Sequence, residues 1–139
     1  MSKHEYPWRS LAVVACLSLL VACKSHDIYI TAEPNQHFMM MTSTSGNVLA
    51  TPAGMTLYTY DKDVRGKSTC YGNCALTWPP LLGDSRSRPA GNLTLVARKD
   101  GTMQWAFDGK PLYTFVQDKK PGQVKGDGFD NVWHVVRIK

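Results

Sequence analysis

A ten-residue stretch that occurs twice constrains the fold of this chain more than any other feature. Gly54 to Asp63, with Leu57, Tyr58, Thr59 and Tyr60 at its centre, recurs 55 positions later as Gly109 to Asp118, with Leu112, Tyr113, Thr114 and Phe115. Held at that offset without a gap, the comparison also lays Trp78 over Trp133. Two copies of one structural unit account for this best. In each copy the period of a strand puts Leu57 or Leu112 and Thr59 or Thr114 on one face, and Tyr58 or Tyr113 and Tyr60 or Phe115 on the other. Paired aromatics on one face bury much area and stack across strands. Asp63 and Asp118 follow the strands, where a carboxylate accepts backbone N–H groups of the next loop and fixes its shape. Trp78 and Trp133 are placed to lid the aromatic face. On this reading Tyr58, Tyr60, Asp63, Tyr113, Phe115, Asp118, Trp78 and Trp133 are a structural signature; the competing one makes them the wall of a ligand groove. Repetition favours structure, because both copies keep these residues while their loops differ.

The chain has 139 residues, enough for one domain. Its first 22 residues read as a leader: Lys3 and Arg9 are basic, and Leu11 to Ala22 is apolar apart from Ser18, about half the length of a membrane span. The run ends in Leu20, Val21, Ala22 and Cys23, which resembles the lipobox of bacterial lipoproteins. That resemblance implies a lipid on Cys23, cleavage before it and acylation of the new amino group. Cys16 offers a weaker box behind a shorter apolar run. Several acyl chains on one residue anchor a protein stably where a single chain is marginal. Lys24 rather than Asp follows the cysteine, which by the usual sorting rule implies the outer membrane. Without Lys3, Arg9 and Glu5 the chain carries 14 basic and 10 acidic residues, a balance of +4. The charges are interspersed, and no basic stripe of the kind that binds nucleic acid is visible.

Residues 23–45 read as the lipidated cysteine and a polar, irregular tether, its 22 residues after Cys23 spanning about 25 Å as a flexible coil. Within it lie His37, Phe38, Met39, Met40 and Met41, a source of soft ligands for Cu(I) that His26 or His37 can join. The blander account is an apolar patch or a short strand docking on the domain. The folded part is expected over 46–139, with repeats at about 46–92 and 93–139. Asn47 to Ala50 and Met55 to Tyr60 suggest a hairpin around Pro52 and Gly54. Leu93 to Arg98, Thr102 to Phe107 and Lys110 to Val116 are joined by Asp100-Gly101 and Asp108-Gly109, the strongest short hairpin signal. A three-stranded antiparallel meander follows, with Met103, Trp105 and Phe107 on a buried face. Val132 to Ile138 is the closing strand. With no amphipathic helix of convincing length after residue 23, the domain is expected to be all-β and antiparallel, two repeats related by a pseudo-twofold.

Tyr58, Tyr60 and Asp63, then Tyr113, Phe115 and Asp118, with Cys70, Gly72, Cys74 and Trp78 to Leu81 and with Gly126 to Gly128 and Trp133 to Val136, carry a family resemblance. The chain resembles the bacterial lipoproteins described by a repeated Y-x-(F/W/Y)-x-x-D motif, the secreted repeat of unknown function. The resemblance covers Gly46 to Arg137 and implies a cell-envelope location with no assigned activity.

Cys70 and Cys74 are the only cysteines left beyond Cys23. In an oxidising compartment they are expected to form a disulfide closing a small loop. At the same offset the second copy has Lys125 and Phe129. The sharper alternative is a soft-metal or thiol-exchange site, with His134 as third ligand and Met39, Met40 and Met41 in support, which resembles envelope copper-delivery sites but lacks their βαβ context. His134 is otherwise a hydrogen-bonded rim residue. Asp127 to Asn131 reads as a tight turn rather than a calcium loop, lacking the closing Glu. No nucleophile triad, catalytic carboxylate pair or phosphate loop is visible. The sequence therefore points to a non-enzymatic, lipid-anchored envelope protein that binds an unidentified envelope protein or ligand or serves a structural role. Its alternative is a copper-handling or redox accessory lipoprotein.

Overall fold

The computed structural model describes residues 38–139. The expected leader, Cys23 and the tether through residue 37, with His26 and His37, lie outside the described residues. β1 (Met39–Ser43) and β2 (Gly46–Ala50) form an antiparallel hairpin in which Met39 faces Ala50 and Ser43 faces Gly46. This corrects the sequence boundary: the three methionines belong to a strand, and the fold begins before Gly46. The polar run Thr42 to Ser45 is turn chemistry, which has the same composition as a linker. Ser43 donates its hydroxyl to the Gly46 carbonyl at 2.9 Å and accepts the Ser45 N–H at 3.1 Å, and Gly46 takes φ +89°.

The hairpin expected between Asn47 to Ala50 and the Leu57 strand is short: Ala50 bridges to Thr56, and Leu57 N–H bonds Leu49 O and Thr51 N–H bonds Met55 O, both at 2.9 Å. β2 is thus an inner strand, flanked also by Arg137 opposite Val48, and Val48 and Ala50 are fully buried. β3 (Tyr58–Tyr60) pairs with β7 (Trp133–Val135), Thr59 facing His134. β4 (Leu93–Ala97), β5 (Met103–Phe107) and β6 (Lys110–Pro111) make the expected meander, but its third strand stops well short of Val116, because Tyr113 bridges to Tyr58 and Pro80 instead. Its one-sided burial does not hold. Gln104, Trp105 and Ala106 are all buried while Met103 is exposed, because Leu81 and Leu82 add to the edge of β5 that β6 leaves free: Trp105 N–H bonds Leu81 O at 2.8 Å and Leu82 bridges to Gln104. Among the described residues, helical structure is confined to one turn at α1 (Asn73–Thr77) and a 3-10 turn at Phe129–Asn131.

The pseudo-twofold is written in backbone bonds. Tyr58 and Tyr113 exchange N–H and C=O at 2.9 and 3.0 Å on the axis. Asp61 N–H bonds Val132 O as Val116 N–H bonds Thr77 O, and Asp63 N–H bonds Tyr60 O as Asp118 N–H bonds Phe115 O. Gly54 O accepts from Gly122 of the other copy, and Gly109 O accepts from Gly66. The repeated segments 57–60 and 112–115 lie between two cores. Leu57 and Leu112 pack with Leu49, Trp105 and Val136 on one side. Tyr58, Tyr113, Phe115, Trp78, Trp133 and Cys70 fill the other.

Candidate functional site

The repeated aromatic and acidic residues meet across the axis, each copy completing the other. Tyr58 donates its hydroxyl to Asp118 Oδ2 at 2.6 Å, and Tyr113 donates to Asp63 Oδ2 at 2.7 Å. The remaining oxygen of each carboxylate does what the sequence suggests. Asp63 Oδ1 accepts the Thr69 N–H at 2.7 Å and Asp118 Oδ1 the Lys125 N–H at 3.0 Å, shaping the loop after each strand. Both phenols are fully buried. Burial first, and then the adjacent carboxylate, pushes the Tyr58 hydroxyl far above the usual phenol range. Burial likewise raises Tyr113, with the Ser68 hydroxyl working against it and Asp63 adding to it. Burial also raises the Asp63 carboxyl, opposed by the Thr69 N–H and the Tyr113 hydroxyl.

The rings interlock in the same crossed way. Trp78 and Trp133 stack on the axis with centroids 3.9 Å apart and planes 4° from parallel. Tyr60 of the first copy continues the stack on Trp133 at 4.2 Å, and Phe115 of the second continues it on Trp78 at 4.1 Å. Tyr58 and Tyr113 meet Trp78 and Trp133 edge-on, which suits the ring quadrupoles. The two tryptophans are thus the centre of the aromatic core rather than a lid over it. Gly126 is what lets Trp78 in: a Cβ there would lie 2.6 Å from the indole.

Cys70 and Cys74 are joined in a disulfide, with Cys70 buried in the aromatic core. In that state neither sulfur is a thiolate. Met41 packs against the core from β1. His134 Nε2 sits 2.8 Å from Asp61 Oδ2 at the surface. Among the described residues, no three His, Cys, Asp or Glu side chains are grouped to hold a metal ion.

A buried polar network escapes sequence reasoning altogether. Arg98 lies in the run expected as a plain strand, yet it is 6% exposed. Its Nη1 donates to Ser68 Oγ at 2.9 Å and Gln104 Oε1 at 2.7 Å, its Nη2 to the Cys70 carbonyl at 3.0 Å, and its guanidinium lies 4.3 Å over the Tyr71 ring. Gln104 Nε2 donates onward to Leu112 O at 2.7 Å, and Ser68 Oγ meets the Tyr113 hydroxyl at 2.8 Å. One network therefore ties the meander, the disulfide loop and the Tyr113–Asp63 pair together. The available signal was small: an arginine continuing an apolar alternation, and arginine is almost never fully buried unless paired. Asp127, expected in a tight turn, also clamps the closing strand, accepting from Val135 N–H at 3.0 Å and Arg137 Nη2 at 2.6 Å.

At the surface, a cleft of about 290 Å³ opens between β3, β7 and the β5–β6 turn, with Asp61, Asp108, Lys110 and His134 on its walls. A smaller hollow of about 140 Å³ adjoins it, sharing Asp61 and Lys110.

The family model described as a secreted repeat of unknown function matches the chain twice, over residues 39–82 and 94–137. The chain belongs to this family. Both matches start in strands that pair with their neighbours, β1 at Met39 and β4 at Thr94, so the secreted repeat includes the methionine strand. Its secreted character fits a location outside the cytoplasm, in the envelope or beyond. No curated protein and no solved structure matches the chain.

Proposed function

We propose that this secreted repeat is a lipid-anchored protein of the bacterial cell envelope whose β domain is a non-enzymatic binding or structural module. The observation that carries the reading is the reciprocal pairing of Tyr58 with Asp118 and Tyr113 with Asp63. Tyr58, Tyr113 and Asp118 are buried, Asp63 is half-buried, and all four are committed to one another, which is the behaviour of a scaffold. The lipobox-like Leu20 to Cys23 and the basic residues before it support the anchor, and Lys24 supports the outer membrane. Labelled palmitate supplied to producing cells is expected to enter the protein and to stay with the membrane fraction. Cys23→Ala is expected to remove the label and release the chain, and unchanged fractionation overturns the anchor.

The copper-handling alternative employs Cys70, Cys74, His134 and Met39 to Met41, and it needs the disulfide opened to thiolates. A thiol count with and without reductant separates the two. An oxidised pair indifferent to Cu(I) supports the module, and two free thiols with stoichiometric Cu(I) support the alternative.

A further inference from the structure

The cleft beside His134 breaks the pseudo-twofold that the scaffold keeps. Tyr58 and Tyr113, Asp63 and Asp118, Trp78 and Trp133, and Gly54 and Gly109 are matched between the copies. At the cleft they are not. The places of Asp61, Asp108, Lys110 and His134 are taken at the twin end by Val116, Ala53, Met55 and Pro79, at the same offset of 55. The equivalence is spatial as well. Thr59 faces His134 in register while Thr114 N–H reaches Pro79 O, the bond of Asp61 N–H to Val132 O is matched by that of Val116 N–H to Thr77 O, and the carbonyls of Gly109 and Gly54 each accept from a glycine of the other copy. One backbone therefore tolerates apolar residues and proline at one end and four ionisable groups at the other. The fold does not require the charges.

Nor are they all used. Asp61 is paired with His134. The Asp108 carboxylate and the Lys110 ammonium are exposed and have no hydrogen-bond or ion-pair partner among the described residues. They lie on either side of Gly109 in the positive-φ turn, and Phe107 and Val136 also line the cleft. A lone anion there would face Asp61 and Asp108, and a lone cation would face Lys110. At about 290 Å³ the cleft sits at the small end of ligand sites, which begin at roughly 300 Å³.

We propose that this cleft binds a small zwitterion of the free amino acid class, its ammonium at Asp108 and Asp61 and its carboxylate at Lys110. This rests on the binding half of the reading above and is independent of the lipid on Cys23. The test titrates purified full-length protein in detergent with L-alanine, ethylamine or acetate, following amide and His134 imidazole NMR shifts. L-alanine is expected to give saturable shifts at Asp108 to Lys110 and at His134. Asp108→Asn and Lys110→Met are each expected to weaken binding about tenfold or more, as loss of a charge-assisted contact should. Lys120→Ala, at the twin end, is expected to leave it unchanged. Amide shifts away from the cleft report that each variant remains folded. No saturable shift with L-alanine, equal affinity for ethylamine or acetate, or undiminished binding in both folded variants overturns the proposal. Failure of the anchor shows separately, in the fractionation of Cys23→Ala.

Discussion

The hydroxyl of Tyr58 donates to the carboxylate of Asp118 at 2.6 Å across a sequence separation of 60, and both side chains are buried. Tyr113 and Asp63 make the mirror contact at 2.7 Å. A hydrogen bond to a buried charged acceptor contributes more than a neutral one, about 1.5–3 kcal/mol. Tyr58→Phe and Tyr113→Phe are each expected to cost about 2 kcal/mol in urea unfolding, within that range. A double-mutant cycle of Tyr58→Phe with Asp118→Asn should show coupling, whereas Tyr58→Phe with Asp63→Asn should be closer to additive. Equal coupling in both cycles would contradict the crossed pairing.

The same pairs set an alkaline limit. Burial and the neighbouring carboxylate raise both phenols above the ordinary value of 10.0. A group whose folded pKa lies above its unfolded value adds stability that is complete below the unfolded pKa and is lost as pH climbs beyond it. Stability is therefore expected to fall above pH 10, by about 1.4 kcal/mol per pH unit for each tyrosine. Urea midpoints measured against pH check this, and Tyr58→Phe should halve the slope. Asp63 acts in the same direction at acid pH. Burial raises it above 3.8, so its contribution is greatest below that value and declines as pH rises. Asp63 is then not a trigger of acid unfolding.

Arg98 is the buried charge that joins the repeats away from the axis. Its truncation strands the Gln104 and Ser68 oxygens and the Cys70 carbonyl together. Arg98→Met is expected to cost about 3–5 kcal/mol, the range for breaking a buried charged network. Arg98→Lys should rescue little, because one ammonium cannot reproduce the planar fork. Thermal unfolding of the two variants measures both effects.

The Cys70–Cys74 link closes a loop of only a few residues, so chain entropy limits its contribution to about 2 kcal/mol. Reduction or a Cys70→Ser, Cys74→Ser double variant should lower the melting temperature by roughly ten degrees and leave the fold intact. Loss of the near-ultraviolet circular dichroism of the stacked indoles on reduction would show instead that the loop holds the aromatic core in place.

The doubled stretch gave two related units and loop-fixing aspartates from residues alone, and the Asp-Gly meander with the lack of an amphipathic helix gave the all-β antiparallel class. Alternation and Asp-Gly turns are local signals, and these features are local. Cys70 and Cys74 were legible for the same reason, with two thiols four positions apart in a secreted chain. What the sequence could not determine is which copy each side chain serves. The exchange of Tyr58, Tyr60, Tyr113 and Phe115 across the axis, the Trp78–Trp133 stack and the burial of Arg98 all depend on contacts between distant segments. Composition at a position is blind to those. The cleft at His134 belongs with them: Asp61, Asp108, Lys110 and His134 are unremarkable in sequence, and only the fold's near symmetry reveals them as the residues it did not need.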